Sequence, residues 1–438
     1  MKLEAEICYR AVEARDARFD GRFFTAVKTT GIFCRPICPA PTPRRRNVEF
    51  FPSAAAAAAA GYRPCLRCRP EVAPFSAAWN GTASVVKRAL RLIEAGKAHR
   101  LPDQLGISER HLRRLFQQHL GASPKEAELI HRVLLAKHLI SSTTLPLTEI
   151  AFASGFTSVR RFNEAVRKVY RCNPTEIRRS TMAPPSSGIR LKLSYVPPYD
   201  WNRFAAFVAP RIIPGLESIE GRIYCRTLRL PEGPARINVE FLPDEHAFGL
   251  SLELPKLSSV RDVVERARCF FDLRCDPNAV YRHLRRFLRV SPGLRVPGAW
   301  DVFEIAVRAV LGQQVSVKAA TTYARRLVDR FNGFATPEEL AAADLSGLGL
   351  MPRRCETLKR LADVAAAAEN LPPEDFIARL SGIPGIGPWT LQYITLRTGN
   401  PDAFPSGDLL LKAYGSAEEW RPWRAYAAMA IWTGGVAR

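Results

Sequence analysis

The hydrophobic rhythm of this chain changes several times along its length. From Arg22 the run RFFTAVKTTGIFC is rich in aromatic and β-branched residues and meets Gly31, which predicts a strand and a turn delivering Cys34. NVEFF (47–51) predicts a second strand. Ser53 then caps a run of seven alanines closed by Gly61, the start and stop signals of a short helix. Between Trp79 and Arg179 apolar residues recur at three- and four-residue spacing, so the pattern turns helical. There LGISERHLRRLFQQHLG sets Gly106 at a turn, Ser108 at an N-cap and Leu112, Leu115 and Phe116 on one face, with Arg110, Arg113 and Gln117 opposite. A long helix follows, roughly Pro124 to Ile140. LTEIAFASGFTSVRRFNEAVRKVY repeats the design, with Gly155 in the turn, Ser158 as cap, Phe162 and Val166 inward, and Arg160, Arg161 and Asn163 outward. STMAPPSSG reads as a linker from its Pro and Ser content. Residues 190 to about 257 then alternate as antiparallel strands (IRLKLSY, IEGRIYCRTLRL, ARINVEFL and FGLSLEL), with one helix near WNRFAAFVAP. From Ser258 the pattern is helical to the end.

A chain of 438 residues exceeds one core and predicts roughly three domains of ordinary size. Its net charge of +22 is spread over many Arg-rich segments, which points to a polyanionic partner, nucleic acid first. An anionic membrane surface is the competing partner. No apolar run approaches a bilayer span and MKLEAEICYR has no signal-peptide core, so no membrane association and a cytoplasmic, nucleoid-associated location are expected.

The ten cysteines divide by spacing. Cys34, Cys38, Cys65 and Cys68 stand in two short knuckles, GIFCRPIC and RPCLRC, with no histidine between them, the ligand set of one closed tetrahedral Zn2+ site. Zinc holds cysteine as thiolate, the form that attacks carbon. A purely structural zinc knuckle is the plainer alternative. Cys8, Cys172, Cys225, Cys269, Cys275 and Cys355 are scattered and read as core or surface residues.

GIFCRPIC and GYRPCLRC resemble the N-terminal domain of Ada-type methylphosphotriester DNA methyltransferases. The resemblance implies that Cys34 accepts a methyl group from a damaged backbone phosphate while Cys38, Cys65 and Cys68 remain ligands. Arg44, Arg45 and Arg46 follow the first knuckle and are candidates for the flanking phosphates, against the alternative of a solvated charged loop. The paired helical units resemble an AraC-type DNA-binding domain, with ASGFTSVRRFNEAV the most specific part. Arg110, Arg113, Arg160 and Arg161 are then its DNA contacts. GKAHRLPDQL, with Pro102, is short for a complete first positioning helix.

Toward the C-terminus, LSGIPGIGPWTLQYITLR holds a tight glycine hairpin between two helices. Backbone N–H groups after such a hairpin face a DNA phosphate, here at Gly385 and Gly387, with a monovalent cation at the hairpin carbonyls. NPDAFPSGDLLLK follows. Together with SYVPPYDW, FDLRCDP, GAWDVFEIAVRAVLGQQVS and RPWRAYAAMAIW, residues 190–438 resemble the AlkA-type 3-methyladenine DNA glycosylases of the helix-hairpin-helix superfamily. That resemblance maps the catalytic aspartate onto Asp408 and the aromatic pocket onto Trp389, Tyr393 and Trp432. Gln314 falls where the residue filling the flipped base's space stands. Trp389 stands where lyase-active relatives carry a nucleophilic lysine, so the resemblance implies hydrolysis without strand cleavage. Two departures are legible: Gln314 is polar where leucine is common, and the chain after LLLKAYG is about ten residues short of the family pattern.

The expected architecture is multidomain α+β. A small α/β zinc domain covers residues 1–76, an all-α double helix-turn-helix domain 77–181, a linker 182–189, an α+β antiparallel-sheet domain 190–290, and an all-α helix-hairpin-helix glycosylase domain 291–438. The expected function is DNA alkylation repair combined with regulation. Cys34 accepts methyl, the modified chain binds promoters and activates transcription with RNA polymerase, and Asp408 serves hydrolytic excision of alkylated purines from damaged duplex DNA. An alkylation-sensing transcription factor with an inactive glycosylase half is the alternative. No PCHR-type alkylguanine acceptor motif is present.

Overall fold

The computed structural model describes residues 5–15, 23–36, 38, 40–51, 57, 60–65, 68, 82–94, 96, 98–179, 189–368, 371 and 373–434. The chain divides into two compact units, residues 1–89 with 107–121, and residues 90–106 with 122–438.

In the first unit α1 (Ala5–Glu13) buries Cys8, Ala11 and Val12 with Phe23. The sheet runs in the order β3-β1-β2-β4, with β1 (Phe24–Val27), β2 (Ile32–Cys34), β3 (Val48–Phe51) and β4 (Arg63–Pro64). Gly31 bends the β1–β2 hairpin at φ +64°, a conformation glycine adopts without a steric penalty. Phe24, Ala26, Phe33 and Ala57 form the core on one face. Ser53 and most of the alanine run lie outside the described residues, although Ala57 is helical and buried.

The helical segment comprises α2 (Thr82–Glu94), α3 (Leu101–Leu105), α4 (Glu109–Leu120), α5 (Pro124–Ser142), α6 (Leu147–Ala153), α7 (Val159–Tyr170) and α8 (Pro174–Arg179). Ser108 caps α4 by accepting from His111 N, and Ser158 caps α7 by accepting from Arg161 N. Gly106 and Gly155 take φ +65° and +85° in the turns. Leu112, Leu115, Phe116, Phe162 and Val166 are buried, as the periodicity predicts. α3 has only five residues, with Pro102 in its first turn, which is the short positioning helix that GKAHRLPDQL predicts.

In the second unit a five-stranded antiparallel sheet runs β5-β9-β8-β7-β6, with β5 (Ile189–Ser194), β6 (Glu217–Glu220), β7 (Ile223–Leu230), β8 (Gly233–Leu242) and β9 (Ala247–Glu253). Ile189, Leu191 and Leu193 of β5 alternate inward with exposed Arg190, Lys192 and Ser194, the half-buried period of two. IEGRIYCRTLRL forms two strands, because Gly221 at φ +56° turns the chain between β6 and β7. Helix α9 (Trp201–Val208) packs Trp201 and Phe204 on Phe241, Phe248 and Phe271.

The second helix-turn-helix unit shares the core of this sheet. Val133, Leu139, Ile140 and Ile150 join Leu191, Leu193 and Phe248 in one apolar cluster. Edge strand β5 is packed by α5, whose His138 Nε2 accepts from Lys192 N at 3.2 Å, so the helix pairs an outward N–H at the middle of the edge. Arg261, buried on α10 (Val260–Phe270), donates to the Ile93 carbonyl and packs against Gly155, where an added Cβ would lie 2.8 Å from its Nη1. Arg274 pairs with both Glu94 and Glu265. The linker residues 180–188 lie outside the described residues.

Beyond α10 the helices are α11 (Pro277–Leu284), α12 (Val302–Leu311), α13 (Val317–Phe331), α14 (Pro337–Ala342), α15 (Pro352–Ala366), α16 (Pro373–Leu380), α17 (Pro388–Arg397) and α18 (Arg424–Trp432). Here the sequence pattern overstates the helix, since residues 285–301 and 398–423 hold none beyond short 3-10 turns. In the first stretch backbone meets backbone. A Cβ at Gly293 would lie 2.4 Å from Asp200 N, and one at Gly298 2.3 Å from Cys269 O. A buried ionic network joins the sheet to α12. Arg226 bonds Glu217 at 2.8 Å and pairs with Glu304, while Arg308 bonds Glu217 at 2.6 Å and Glu304 at 2.8 Å. Burial opposes ionisation of Glu217, but Arg308 and Arg226 hold its carboxyl down at about 2.

Asp272 behaves oppositely. It sits at φ +52° after α10, half-buried, and its Oδ2 accepts from Val296 N at 3.1 Å and Tyr426 Oη at 2.9 Å. Burial raises its carboxyl from 3.8 to about 6. The folded state therefore holds this proton more tightly than the unfolded chain, so the contribution to stability is complete below pH 4 and lost as pH rises through about 6. Asparagine tolerates the left-handed conformation and carries no charge. Asp272→Asn is expected to gain about 2–3 kcal/mol on the unsubstituted chain between pH 4 and 7, read by denaturant unfolding at each pH. A stability difference independent of pH would contradict this.

Candidate functional site

The four knuckle cysteines are assembled by strand pairing. β2 and β4 run parallel, and Cys65 N donates to Phe33 O at 3.0 Å, so Cys34 and Cys65 emerge from adjacent strand ends. A tight turn, Cys38 N to Arg35 O at 3.1 Å, brings in Cys38. Cys68 Sγ accepts from Arg35 N at 3.4 Å. All four sulfurs lie within 4.8 Å of one another, with Cys38 and Cys65 at 3.9 Å. A tetrahedral zinc with Zn–S of about 2.3 Å has sulfur–sulfur edges of about 3.8 Å, so the donor set fits Zn2+ in kind and in size. In the cluster of thiols alone, hydrogen bonding to Cys38 and Cys68, followed by burial, pushes the Cys34 thiol up. Its partner Cys38 is drawn down to about 2 by the same bonds from Cys34 and Cys68. Four sulfurs this close need a central positive charge before all can ionise.

Cys34 differs from its three neighbours in being only partly buried. It lines a cavity of about 510 Å³ together with Thr25, Ile32, Arg35 and Arg63, and Cys38 and Cys65 reach the same cavity. Of the three arginines after the first knuckle, Arg44 and Arg46 are exposed at a 3-10 turn. Arg45 instead lies 5.5 Å over the Phe50 ring and 5.7 Å over Tyr9, with Nε 3.8 Å from Glu6. Its charge serves the packing of α1 against β3, which the triple-Arg pattern does not reveal.

On α4, Arg110 and Arg113 are exposed with Gln117, as the sequence places them. On α7, Arg160 and Arg161 are exposed too, and Arg160 Nε bonds Glu164 at 2.9 Å along its own helix.

The helix-hairpin-helix is α16, a turn, and α17. Gly385 (φ +94°) is fixed twice over, because a Cβ there would also lie 2.3 Å from Thr357 Oγ1. Gly387 is the N-cap of α17. Gln313 Nε2 pins the hairpin by donating to Gly385 O at 2.8 Å and Thr390 Oγ1 at 3.0 Å. Its neighbour Gln314 is exposed at φ +54° in the turn between α12 and α13. α17 carries Trp389 and Tyr393 one turn apart, rings stacked at 5.4 Å and 12°. Trp432 on α18 meets Tyr393 at 6.1 Å. Trp432 Nε1 and Leu410 N both donate to Asp408 Oδ1, at 3.1 and 3.0 Å. These groups line one cavity of about 310 Å³. After Asp408 the chain makes only a turn and two 3-10 segments before α18, so the shortened sequence leaves no α-helix between Asp408 and Arg424.

Family models match along the chain in the same order as these sites. The metal binding domain of Ada matches residues 7–71, a helix-turn-helix domain 101–180, the AlkA N-terminal domain 190–301, and the HhH-GPD superfamily of base excision DNA repair proteins 307–421. A Mycobacterium tuberculosis protein named "Probable bifunctional transcriptional activator/DNA repair enzyme AlkA" is 39% identical over 98% of this chain and 96% of its own length. This chain belongs to that family. The alignment runs to 479 positions, longer than the chain itself, so this member is gapped against its relative. DNA-3-methyladenine glycosylase 2 of Escherichia coli is 36% identical over 55% of this chain and 95% of its own length. The bifunctional transcriptional activator/DNA repair enzyme Ada of the same organism is 36% identical over 36% of this chain and 46% of its own length.

Sequence reasoning missed the cations of the C-terminal cavity. Arg397, Arg211 and Arg308 line it with the aromatic residues. Arg397 Nη1 donates to Tyr393 Oη at 2.8 Å and is itself held by the Pro297 and Gly298 carbonyls at 2.6 and 2.9 Å. Burial alone would raise the Tyr393 phenol, but Arg397, Arg211 and Arg308 bring it below its usual range. Only Arg397 left a sequence signal, its i+4 spacing from Tyr393 in LQYITLR.

Proposed function

We propose that this DNA-binding chain repairs alkylated duplex DNA at two separate sites and uses the first to set its own affinity for promoters. Methyl acceptance is assigned to residues 1–76 and to Cys34. Cys34 Sγ attacks the methyl carbon of a DNA methylphosphotriester; the S–C bond forms as the methyl C–O bond breaks, and the electron pair leaves on oxygen as the phosphodiester anion. A bound Zn2+ holds the four sulfurs as thiolates, giving a centre of about −2 that methylation reduces to about −1. The observation that carries this reading is that Cys34 is the least buried of the four sulfur-bearing residues and lines an open cavity beside the cluster. Loss of negative charge weakens repulsion from phosphate, so the methylated chain grips DNA more tightly through Arg44, Arg46, Arg110, Arg113, Arg160 and Arg161. Bound at a promoter, it recruits RNA polymerase.

Excision is assigned to residues 190–438. An N-alkylated purine is cationic and already a good leaving group, and Trp389, Tyr393 and Trp432 offer it electron-rich rings. Asp408, its Oδ1 held by Trp432 and Leu410, presents Oδ2 to the oxocarbenium-like sugar. Gly385 and Gly387 seat a phosphate on backbone N–H groups at the start of α17, with a monovalent cation at the hairpin carbonyls. Trp389 in place of a lysine favours hydrolysis without strand cleavage. A second reading, a regulator with an inactive excision half, draws on the missing helix after Asp408.

A single reaction tests both halves. The chain is incubated with duplex bearing both methylphosphotriesters and N-methylated purines, and free base and methylated protein are measured together. Both products are expected. Methylated protein without free 3-methyladenine would support the regulator reading, and neither product would overturn the proposal.

A further inference from the structure

Directly after Asp408 the chain exposes two leucines side by side, Leu409 with 75% and Leu410 with 53% of its surface open. Both line the mouth of the cavity that holds Asp408, Trp389 and Trp432. Among the described residues Leu409 is more open than the other exposed large apolar side chains, with Met351 next at 70%. Their presentation is built. Leu411 is fully buried and anchors the turn from below, Leu411 N and Lys412 N donate to Asp408 O at 3.1 and 2.9 Å, and Leu410 N is bound to the Asp408 carboxylate. The turn that aims the carboxylate therefore also fixes the leucines outward.

Extrusion of a base leaves a gap in the stack, and proteins that work on extruded or kinked DNA fill such gaps with apolar side chains. In this chain Gln314, the residue that the family resemblance puts forward for this role, is polar and offers less apolar contact. We infer that Leu409, flanked by Leu410, is the apolar wedge that enters the base stack of damaged duplex DNA beside the extruded nucleotide. The inference rests on the reading of Asp408 as the excision residue. If that carboxylate reaches the sugar, Leu409 follows it by one peptide, about 3.8 Å between Cα atoms, and is held against the duplex. The missing helix then has a consequence, because it leaves the two leucines uncovered.

The test uses the full chain with Leu409→Ala and Leu409→Met. A residue this exposed can be replaced without disturbing the core. Release of 3-methyladenine is compared between methylated duplex and methylated single strand, where no stack needs opening. Leu409→Ala is expected to slow duplex release about 10- to 100-fold, the size of burying one leucine, with single-strand release changed less than about twofold. Leu409→Met, of similar volume, restores duplex release to within about threefold. Equal losses on both substrates would reduce Leu409 to pocket lining, and no loss on duplex would remove its role; either overturns the inference. A second readout needs no chemistry. With 2-aminopurine beside a tetrahydrofuran abasic analogue in duplex DNA, binding of the unsubstituted chain raises fluorescence by unstacking, and Leu409→Ala binds without the rise. Failure of base release by the unsubstituted chain would count against the Asp408 reading alone, whereas an unchanged fluorescence rise in Leu409→Ala would count against the wedge.

Discussion

Asp408→Asn in the full chain is expected to lower release of 3-methyladenine from methylated duplex by about 10²–10³-fold and to leave methyl acceptance at Cys34 untouched. The substitution keeps the shape and the oxygen that accepts from Trp432 Nε1 and Leu410 N, so the cavity and its fold persist. What disappears is the negative charge facing a sugar that becomes positive as the bond to the base breaks. Binding of an abasic-analogue duplex is expected to change less than the rate, because the interaction lost belongs mainly to the transition state. The measurement is single-turnover base release. A variant as fast as the unsubstituted chain would show that another group stabilises the sugar.

Cys34→Ser has the opposite profile. Serine is the weaker nucleophile and the poorer zinc ligand, so methyl acceptance is expected to vanish while base release through Asp408 continues at its normal rate. Cys38→Ser, Cys65→Ser or chelation of the metal acts more broadly. These buried sulfurs hold the strand ends together, and zinc bound to such a site contributes about 10–16 kcal/mol to the order around it. Loss of zinc is therefore expected to open residues 23–68 to proteolysis as well as to abolish methyl acceptance. Chelated protein that still accepts methyl at Cys34 would contradict the thiolate mechanism.

What was legible in the sequence was local. Ser108 and Ser158 announce helices because a cap acts over three residues, and the knuckles announce a metal site because thiolate ligation is confined to a few positions. The alternation of β5 fixes its inward face without reference to any other strand. Long-range matters were not legible. Arg211 and Arg308 reach the Tyr393 cavity from α9's end and from α12, and no spacing in the chain records that meeting. Nor does a pattern show that Arg261 packs into the turn at Gly155, over 100 residues away, or that α5 packs on edge strand β5. The helical reading of residues 285–301 failed because Gly293 and Gly298 are there for close backbone contact. Nor does the triple-Arg pattern give any sign that Tyr9, Phe50 and Glu6 lie beside Arg45.

The central claim is tested most directly by peptide mass measurement on the zinc-loaded full chain after incubation with duplex carrying methylphosphotriesters as its sole lesion. The account predicts one added methyl group, on the peptide containing Cys34 and on that sulfur alone. An unmodified Cys34 peptide, or a methyl group on Cys38, Cys65 or Cys68 in its place, would contradict it.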